Sequence, residues 1–551
     1  MRALMLMGIY AGQILFVGDS YAIQGVNDGW CRDTDGLRYP FNSTATITKS
    51  QRSGLPASYI AWADAGFPTT GGEIVYPPLP APVTLETYDG PLANFTISQG
   101  DGGTIDLVNK VQGSGALRLK GLGVSAQTPQ AVRTSGVLDP AAFGTVAVWM
   151  KYFSELQGNS ARVQFGRNNA GFLDLISATP GSNGPGSFWA AVHSSEIAGL
   201  LAMGTGTFDY KLRIFQNAPH ANDWAIDSLK LNAAGQCGFG FRFDDTHDTT
   251  FTIGEPYLRP MGFKMDIPVV LEGPVGINIQ DHLTTAMLQN LAAKGHNICC
   301  DSPDDGPYTQ YADTAAAVRA LRRIQDYLNA NNMPEGRNGG VWPGTTTSIV
   351  PASTQVAAMT SDGSPTVTFG APVTIAAGMT CDAYGVAPGV TVLVGGANVS
   401  SALLSQPIAA RAARAARFVD KSGPFYPGKL PDAFRNAGIA YFQGGGGSGF
   451  FPTGDFYDRY GLGGQEMIIP ALSVGTQPAA TVMAVMDLCK SRGTYLTLLF
   501  HRLGGVGGFD TPVPVFQQLA DHAYQLEGAG QSRQRHLRQR FADFSANPAS
   551  P

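Results

Sequence analysis

Two acidic segments and one late histidine carry the residue types that hydrolysis requires. Asp244 and Asp245 directly follow an apolar run, and Asp301 and Asp305 follow a second apolar run about fifty residues later. His501 ends a third run near the C-terminus. Hydrolysis of an amide or ester requires an activated water, a group that polarises the carbonyl and an acid for the leaving group. Carboxylates and an imidazole are suited to these tasks.

The elements around these residues alternate between strand and helix patterns. The predicted strands are Phe239–Phe243, Asn297–Cys300 and Thr494–Phe500. The predicted helices are one capped by Asp281 and stopped by Gly295, one over Thr314–Ala330, one around Val482–Cys489 closed by Gly493, and one around Pro514–Leu526. Residues at the carboxyl ends of strands in α/β barrels gather at one face. The first and last of the three strands should therefore lie in one sheet, with Asp245 and His501 on the same face.

The order of these segments resembles the polysaccharide deacetylase family, the NodB-like carbohydrate esterases. That family has a T-F-D-D-G motif, a G-H-E-I-G-N-H-[ST]-x-x-H motif, a third motif that contains Pro-Gly, and a late L-x-H motif. The similar segments here are Phe243–Thr246, Gly295–Asp305, Trp342–Gly344 and Leu499–His501. The first departs from the family at its glycine, where this chain has Thr246. The resemblance covers about residues 237–345 and 411–528 and implies an irregular (β/α) barrel.

The resemblance also implies roles for the site residues. Asp244 takes the place of the catalytic base, Asp245 that of a metal ligand, and His501 that of the general acid. Asp301 and Asp305 stand where the family has its two metal-binding histidines. A set of Asp245, Asp301 and Asp305 contains only oxygen donors, which suit Mg²⁺, Ca²⁺ or Mn²⁺ better than Zn²⁺. We therefore expect a divalent metal of open identity at this site.

Several alternatives remain open at the sequence level. The site could have lost its metal, or His247 or His296 could supply a nitrogen ligand. Asp244 and Asp245 could instead form a helix cap and turn. Asp455 or Asp458 could orient His501.

The segment before this region has the pattern of an all-β sandwich. Its order of short strands resembles carbohydrate-binding jelly rolls, in which the first and last strands are neighbours. The resemblance makes Glu86 and Asp227 candidates for a structural calcium site, the alternative being surface carboxylates. Trp189 and Trp342 are candidates for stacking on a sugar ring, as is Trp224 if it does not pack in the core.

These patterns predict a multidomain protein of α/β and all-β parts. The predicted divisions are a small β-rich N-terminal unit at 1–76, the sandwich at 77–236, the deacetylase-like domain at 237–348 and 411–530, an inserted β module at 349–410, and a basic, flexible tail at 531–551. The insert resembles a small module of phage tail and bacterial surface proteins.

The composition limits the function classes. Only 14% of the 551 residues are charged, whereas Gly (69) and Pro (36) are abundant, as expected for a turn-rich β protein. The net charge of -5 argues against a nucleic-acid partner, and no apolar run is long enough to predict a membrane span. Six cysteines are too few for a disulfide framework.

The combined hypothesis is a bacteriophage tail or surface protein that binds and deacetylates a bacterial surface polysaccharide. Its expected location is the virion or outside the cell, and its expected partners are other tail proteins and copies of itself, as in a trimer. The main alternative is a non-catalytic, receptor-binding tail protein. A secreted bacterial esterase would need a leader segment, which the N-terminal sequence does not clearly provide.

Overall fold

The fold was taken from a computed structural model of the 551-residue chain. It describes most of residues 83–341, 353–443 and 468–534, with short internal gaps. Before residue 83 it describes only four short strands, β1 (Trp30–Arg32), β2 (Arg38–Pro40), β3 (Thr69–Thr70) and β4 (Glu73–Ile74). The remainder of the predicted N-terminal unit lies outside the described residues.

Two antiparallel sheets form a sandwich over residues 83–231. The first has the order β13-β10-β15-β8-β7, with β5 also paired to β15, and the second has the order β12-β11-β14-β9-β6. Their strands are β5 (Val83–Glu86), β6 (Thr96–Ser98), β7 (Gly103–Asp106), β8 (Ala116–Lys120), β9 (Gln130–Leu138), β10 (Thr145–Tyr152), β11 (Ala161–Arg167), β12 (Ala170–Ala178), β13 (Gly186–His193), β14 (Gly206–Ile214) and β15 (Asp223–Leu231). One apolar cluster fills the space between the sheets, and Trp224 is fully buried in it. The first and last strands, β5 and β15, are neighbours as predicted.

The second unit is built on a parallel sheet of nine strands. Its order is β27-β26-β19-β18-β17-β16-β29-β28, with β30 also paired to β16. The strands are β16 (Cys237–Phe243), β17 (Met265–Val269), β18 (Asn297–Cys300), β19 (Gly339–Val341), β26 (Tyr441–Gln443), β27 (Ile468–Ile469), β28 (Ala471–Ser473), β29 (Tyr495–Phe500) and β30 (Ser532–Gln534). Every residue of β16, β17 and β18 is buried, as is typical of parallel sheets covered on both faces.

The predicted irregular (β/α) barrel is wrong. The parallel strands form a sheet whose two ends are β27 and β28, and no backbone pairing joins these two among the described residues. The rest of the described chain is mostly antiparallel β-structure arranged in sandwich-like layers. The physical reason for the error is that open and closed parallel sheets both place the carboxyl ends of their strands on one edge. Strand-end motifs therefore do not distinguish between them.

Helices cover the parallel sheet. They are α1 (Glu255–Leu258), α2 (Thr285–Ala293), α3 (Thr314–Ala330), α4 (Lys429–Asn436), α5 (Ala479–Arg492) and α6 (Val513–Gly528). Of these, α2, α3, α5 and α6 lie close to predicted positions, whereas α1 and α4 were not predicted. The cap of α2 is Thr284, whose hydroxyl accepts from the Met287 N–H, and not Asp281. Gly493 ends α5 in a left-handed conformation, as its position predicted.

The segment between β19 and α4 forms a six-stranded antiparallel sheet with its own apolar cluster. Its strands are β20 (Ser353–Ser361), β21 (Thr366–Ile375), β22 (Thr380–Ala383), β23 (Val392–Val394), β24 (Gly396–Leu404) and β25 (Arg411–Val419). β25 lies beyond the predicted end of the insert at residue 410 and pairs with both β20 and β22. At the other end of the chain, β30 lies within the predicted tail but pairs with β16.

An ion pair between the buried Arg492 and the more exposed Glu196 joins the sandwich to the parallel-sheet unit. Arg492, at the end of α5, is only 4% exposed, and its guanidinium donates to both carboxylate oxygens of Glu196 at 3.1 and 2.6 Å. The Thr145 hydroxyl on β10 donates to the Ser491 carbonyl at 3.0 Å. Charge-assisted, two-point contacts of this kind fix orientation as well as distance.

Replacing Glu196 with glutamine should lower the free energy of unfolding by about 2 kcal/mol, because the buried Arg492 charge then loses its counter-ion. Equilibrium unfolding in urea measures this loss. The control is Glu272→Gln, since the Glu272–Arg323 pair is half exposed on both sides and should contribute less than about 1 kcal/mol. Equal effects of the two substitutions would contradict a structural role for the Glu196–Arg492 pair.

Candidate active site

The structure brings together the residues that the sequence placed at strand ends. β16 and β29 pair in parallel over six residues, from Gly238 opposite Tyr495 to Phe243 opposite Phe500. Asp245 and His501 follow these strands, and the His501 Nε2 lies 4.0 Å from the Asp245 Oδ2. The prediction that both strands share a sheet and that both side chains lie on the same face is confirmed.

Asp244 is held in place by Arg242, a residue that the sequence analysis did not single out. The Arg242 Nε and Nη2 donate to the two carboxylate oxygens of Asp244 at 2.6 and 2.5 Å. Residues i and i+2 of a strand point to the same side, which makes this pair possible. An arginine inside the apolar run of β16, two positions before an aspartate, was the signal that could have revealed it. The pair leaves Asp244 one fixed orientation.

A strained turn points Asp245 into the site. Asp245 and Thr246 both have positive φ, at 62° and 46°. This conformation is unusual for a β-branched residue and costs of order 1–3 kcal/mol. The Thr246 hydroxyl donates to the Val275 carbonyl at 2.5 Å, and the Thr246 carbonyl accepts from the Leu283 N–H at 2.7 Å. Thr246 stands where the resembling family has glycine, and these contacts hold it in a conformation that glycine adopts without strain.

Asp301 and Asp305 follow β18, the strand two places from β16 in the sheet. Asp301 is buried, and its Oδ1 accepts from the Ser302 N–H at 2.8 Å. Burial, followed by the charges of Asp244 and Asp305, raises the pKa of Asp301 well above its usual value. Asp305 is partly buried and also has a positive φ, of 61°. The charges of Asp244 and Asp305 act on Asp301, so the three carboxylates lie within electrostatic range of one another.

The carboxylates repel one another enough to hold protons near neutral pH. Burial and the charge of Asp244 raise the pKa of Asp245 to about 7. Burial and the charges of Asp245 and Asp244 raise the pKa of Asp305 to about 7 as well. Burial lowers the pKa of His501, against the opposing effect of Asp244. In the protein alone, protons near pH 7 therefore reside on the carboxyl groups in preference to the imidazole.

The donor chemistry of Asp245, Asp301 and Asp305 fits a hard divalent cation, because the three supply only carboxylate oxygens and a cation would relieve their repulsion. Within the described part of the chain, however, no three histidine, cysteine, aspartate or glutamate side chains already form a coordination shell. These side chains would have to move to share one ion. The predicted metal site therefore stays a prediction.

Of the two histidines considered as nitrogen ligands, the structure separates one from the site. His296 precedes β18 at the opposite edge of the sheet, where its Nδ1 accepts from the Met265 N–H at 3.1 Å. His247 lies just beyond Asp245, with its ring centroid 4.8 Å from that of His282. Burial lowers the pKa of His247 to about 4, with His282 next in effect.

Other predicted residues lie outside the site or outside the described residues. Trp342 and the proposed orienting acids Asp455 and Asp458 are not among the described residues. Trp189 lies on β13 opposite Trp149, and its side chain is not described. Trp224 packs in the sandwich core and is not a sugar-binding side chain.

Of the two predicted calcium ligands of the sandwich, Glu86 already has protein partners, and the calcium site stays a prediction. Glu86 and Asp227 are both buried, so the alternative of surface carboxylates is wrong. The Glu86 Oε1 accepts from the Tyr88 N–H at 2.9 Å, and its Oε2 accepts from Arg133 and from the Tyr210 hydroxyl. Protein donors therefore already occupy both carboxylate oxygens. Asp227 lies on β15, all nine residues of which are buried.

A cleft of about 620 Å³ lies on the second sheet of the sandwich. Its lining residues are Asn94, Thr96, Val132, Arg133, Thr134, Asn168, Thr207 and Asp209. All except Val132 are polar, and the Thr134 hydroxyl donates to the Asp209 Oδ1 at 2.6 Å. Such a surface offers hydrogen-bond donors and acceptors to a hydroxyl-rich ligand.

No family model and no curated protein sequence matches this chain. Similar solved structures include a family 11 carbohydrate-binding module of Clostridium thermocellum in complex with a mixed-linked tetrasaccharide, with 15% identity and a TM-score of 0.21, covering 27% of this chain and 94% of that one. Another is a family 28 module specific for non-crystalline cellulose, with 13% identity and a TM-score of 0.22, covering 29% of this chain and 98% of that one. At such scores the similarities establish neither a ligand nor an activity for this chain.

None of the helices in the described residues has the length and hydrophobicity that a bilayer span requires.

Removing one of the repelling carboxylates should stabilise the protein at alkaline pH. The folded-state pKa of Asp305, about 7, lies above the reference value of 3.8, so the stability that this group contributes is present below about pH 4 and is lost as the pH rises through 7. Asp305→Asn should therefore raise the free energy of unfolding by about 1 kcal/mol at pH 8 in a metal chelator, a value reduced by solvent screening. The gain should shrink as the pH falls to 4.

Urea unfolding at a series of pH values measures this effect. Asp326→Asn, at an exposed position of α3, is the matched control and should change stability by less than about 0.5 kcal/mol at every pH. A gain for Asp305→Asn that does not depend on pH would contradict the predicted repulsion.

Proposed function

We propose that this chain binds a polysaccharide and removes acetyl groups from it by hydrolysis. The observation that supports the proposal is the convergence of acidic groups and one histidine at a single edge of the parallel sheet. The His501 Nε2 and the Asp245 Oδ2 lie 4.0 Å apart, and Asp305 interacts electrostatically with both residues. A partly exposed imidazole beside carboxylates is an arrangement suited to acid–base hydrolysis.

The residues divide the proton transfers between them. Asp244, oriented by Arg242, retains lone pairs that can accept a proton from the attacking water. His501, which directly follows the neighbouring strand, would in its protonated form donate a proton to the departing sugar oxygen or nitrogen. A hard divalent cation held by Asp245, Asp301 and Asp305 would polarise the acetyl carbonyl and acidify the water. The strained turn at Asp245 and Thr246 keeps the carboxylate pointed at this region before substrate arrives.

The polar cleft on the sandwich favours polysaccharide as the substrate. Its lining of amides, hydroxyls, Arg133 and Asp209 matches the hydroxyl groups of a sugar chain. Recognition by a sandwich that is fixed to the catalytic unit by Glu196 and Arg492 would hold a polymer near the site. The same cleft supports the second candidate, a carbohydrate-binding protein without catalysis. The tail-protein role, the virion or extracellular location and assembly as an oligomer stay predictions from the sequence resemblance.

The experiment that separates the two candidates measures acetate released from acetylated polysaccharides, with binding of the same polymers measured in parallel. Release together with binding supports the proposal. Binding without release, with Mg²⁺, Mn²⁺, Ca²⁺ and Zn²⁺ each supplied, would favour the non-catalytic candidate.

A further inference from the structure

The loop between β29 and α6 presents two apolar side chains to solvent beside the candidate active site. Val506 is fully exposed, and Phe509 is 69% exposed. The Phe509 ring centroid lies 5.4 Å from that of His501, with an angle of 48° between the ring planes. The Phe509 ring is therefore accessible to a ligand bound next to His501.

Hydrogen bonds hold this loop in a defined shape. At its base, the Gly504 N–H donates to the Thr511 carbonyl and the Thr511 N–H to the Arg502 carbonyl, both at 2.9 Å. At its tip, the Gly507 N–H donates to the Asp510 Oδ2 at 2.7 Å. A Cβ at Gly505 would lie 1.9 Å from that oxygen, so a larger residue there would displace the Asp510 carboxylate. Phe509 is therefore presented by an ordered loop, which reduces the entropy lost on binding a ligand.

The chemistry around Phe509 narrows the choice of ligand. The ring lies beside His501, which in turn lies 4.0 Å from Asp245, and the next residue along the loop is Asp510. A pyranose ring combines one apolar C–H face with a rim of hydroxyls, and so matches a single flat aromatic side chain set among hydrogen-bonding groups. Two exposed side chains form too small an apolar area for a stable protein interface.

We propose that Phe509 is the stacking platform for the sugar ring that carries the acetyl group, which would place that group next to His501. The inference rests on the proposed function and adds a residue that determines specificity for sugar esters or amides. Aromatic contacts contribute about 0.5–1.5 kcal/mol beyond burial, which corresponds to about a 2- to 13-fold change in affinity.

The test compares Phe509→Ala, Phe509→Leu and Phe509→Trp with the wild-type protein. The probes are acetylated xylo-oligosaccharides and N-acetylated chito-oligosaccharides. Alanine and leucine should each raise the KM for acetate release by about 2- to 13-fold with a smaller change in kcat, whereas tryptophan should retain the wild-type KM. The matched control is Leu393→Ala, an exposed apolar position (54%) in the inserted module, which should leave KM unchanged.

Calorimetric binding of the same oligosaccharides separates failure of this inference from failure of the proposed function. If no acetate is released but the oligosaccharides bind with the same dependence on an aromatic residue at position 509, the platform stands and the hydrolase fails. If leucine serves as well as phenylalanine, the ring only packs against His501 and the inference is overturned. It is equally overturned if no probe binds the wild-type protein more tightly than Phe509→Ala.

Discussion

Replacing His501 with alanine should lower acetate release by about 10²- to 10⁴-fold, the usual contribution of a general acid. The imidazole lies 4.0 Å from Asp245 at the carboxyl end of β29. The loss should appear in kcat, because the proton is needed by the leaving group in the transition state. Steady-state assays on acetylated oligosaccharides measure it.

The matched control is His522→Ala. His522 also pairs with an aspartate, Asp487, at 3.0 Å, but on the helices α5 and α6 that cover the sheet. This control should retain wild-type kcat, and thermal unfolding should show that both variants are folded. Wild-type turnover by His501→Ala would eliminate this histidine as the acid, and with it the proposed mechanism.

Asp245→Asn should abolish stabilisation of the fold by hard divalent cations. Binding of a cation to the native state stabilises it by RT ln(1 + [L]/Kd), or about 2.7 kcal/mol at a hundredfold excess of ligand over Kd. In the wild-type protein the cation would replace the repulsion that raises the pKa of Asp245 and of Asp305. A thermal-shift series with Mg²⁺, Ca²⁺, Mn²⁺ and Zn²⁺ measures this stabilisation.

Two further proteins make the metal experiment specific. Asp304→Asn removes a neighbouring carboxylate that accepts from Gln310 and Tyr311 and lies outside the predicted set, so it should keep the cation response. His501→Ala should also keep it, because His501 serves as acid and not as ligand. If no cation shifts the wild-type midpoint, the metal site is wrong. If Zn²⁺ alone does so, a nitrogen ligand is present and the predicted all-oxygen ligand set is wrong.

Local patterns predicted those features of this protein that depend only on neighbouring residues. The helix over Thr314–Ala330 and the strand over Asn297–Cys300 have the predicted bounds, because their apolar periodicity is strong and caps or turn residues flank them. The meeting of Asp245 with His501 was also predictable, since parallel strands place their carboxyl ends on one edge.

Only the tertiary structure decided what depends on long-range contacts. Whether the parallel strands close into a barrel is set by pairing between strands far apart in sequence, and here the predicted closure was wrong. The Arg242 contact that orients Asp244 and the donors that occupy Glu86 arise from side chains packed together by the fold. The exposure of Phe509 beside His501 likewise follows from the shape of a loop closed by its own hydrogen bonds. Residue type and spacing determined which groups could do chemistry, whereas burial and neighbouring charge determined how those groups are held and protonated.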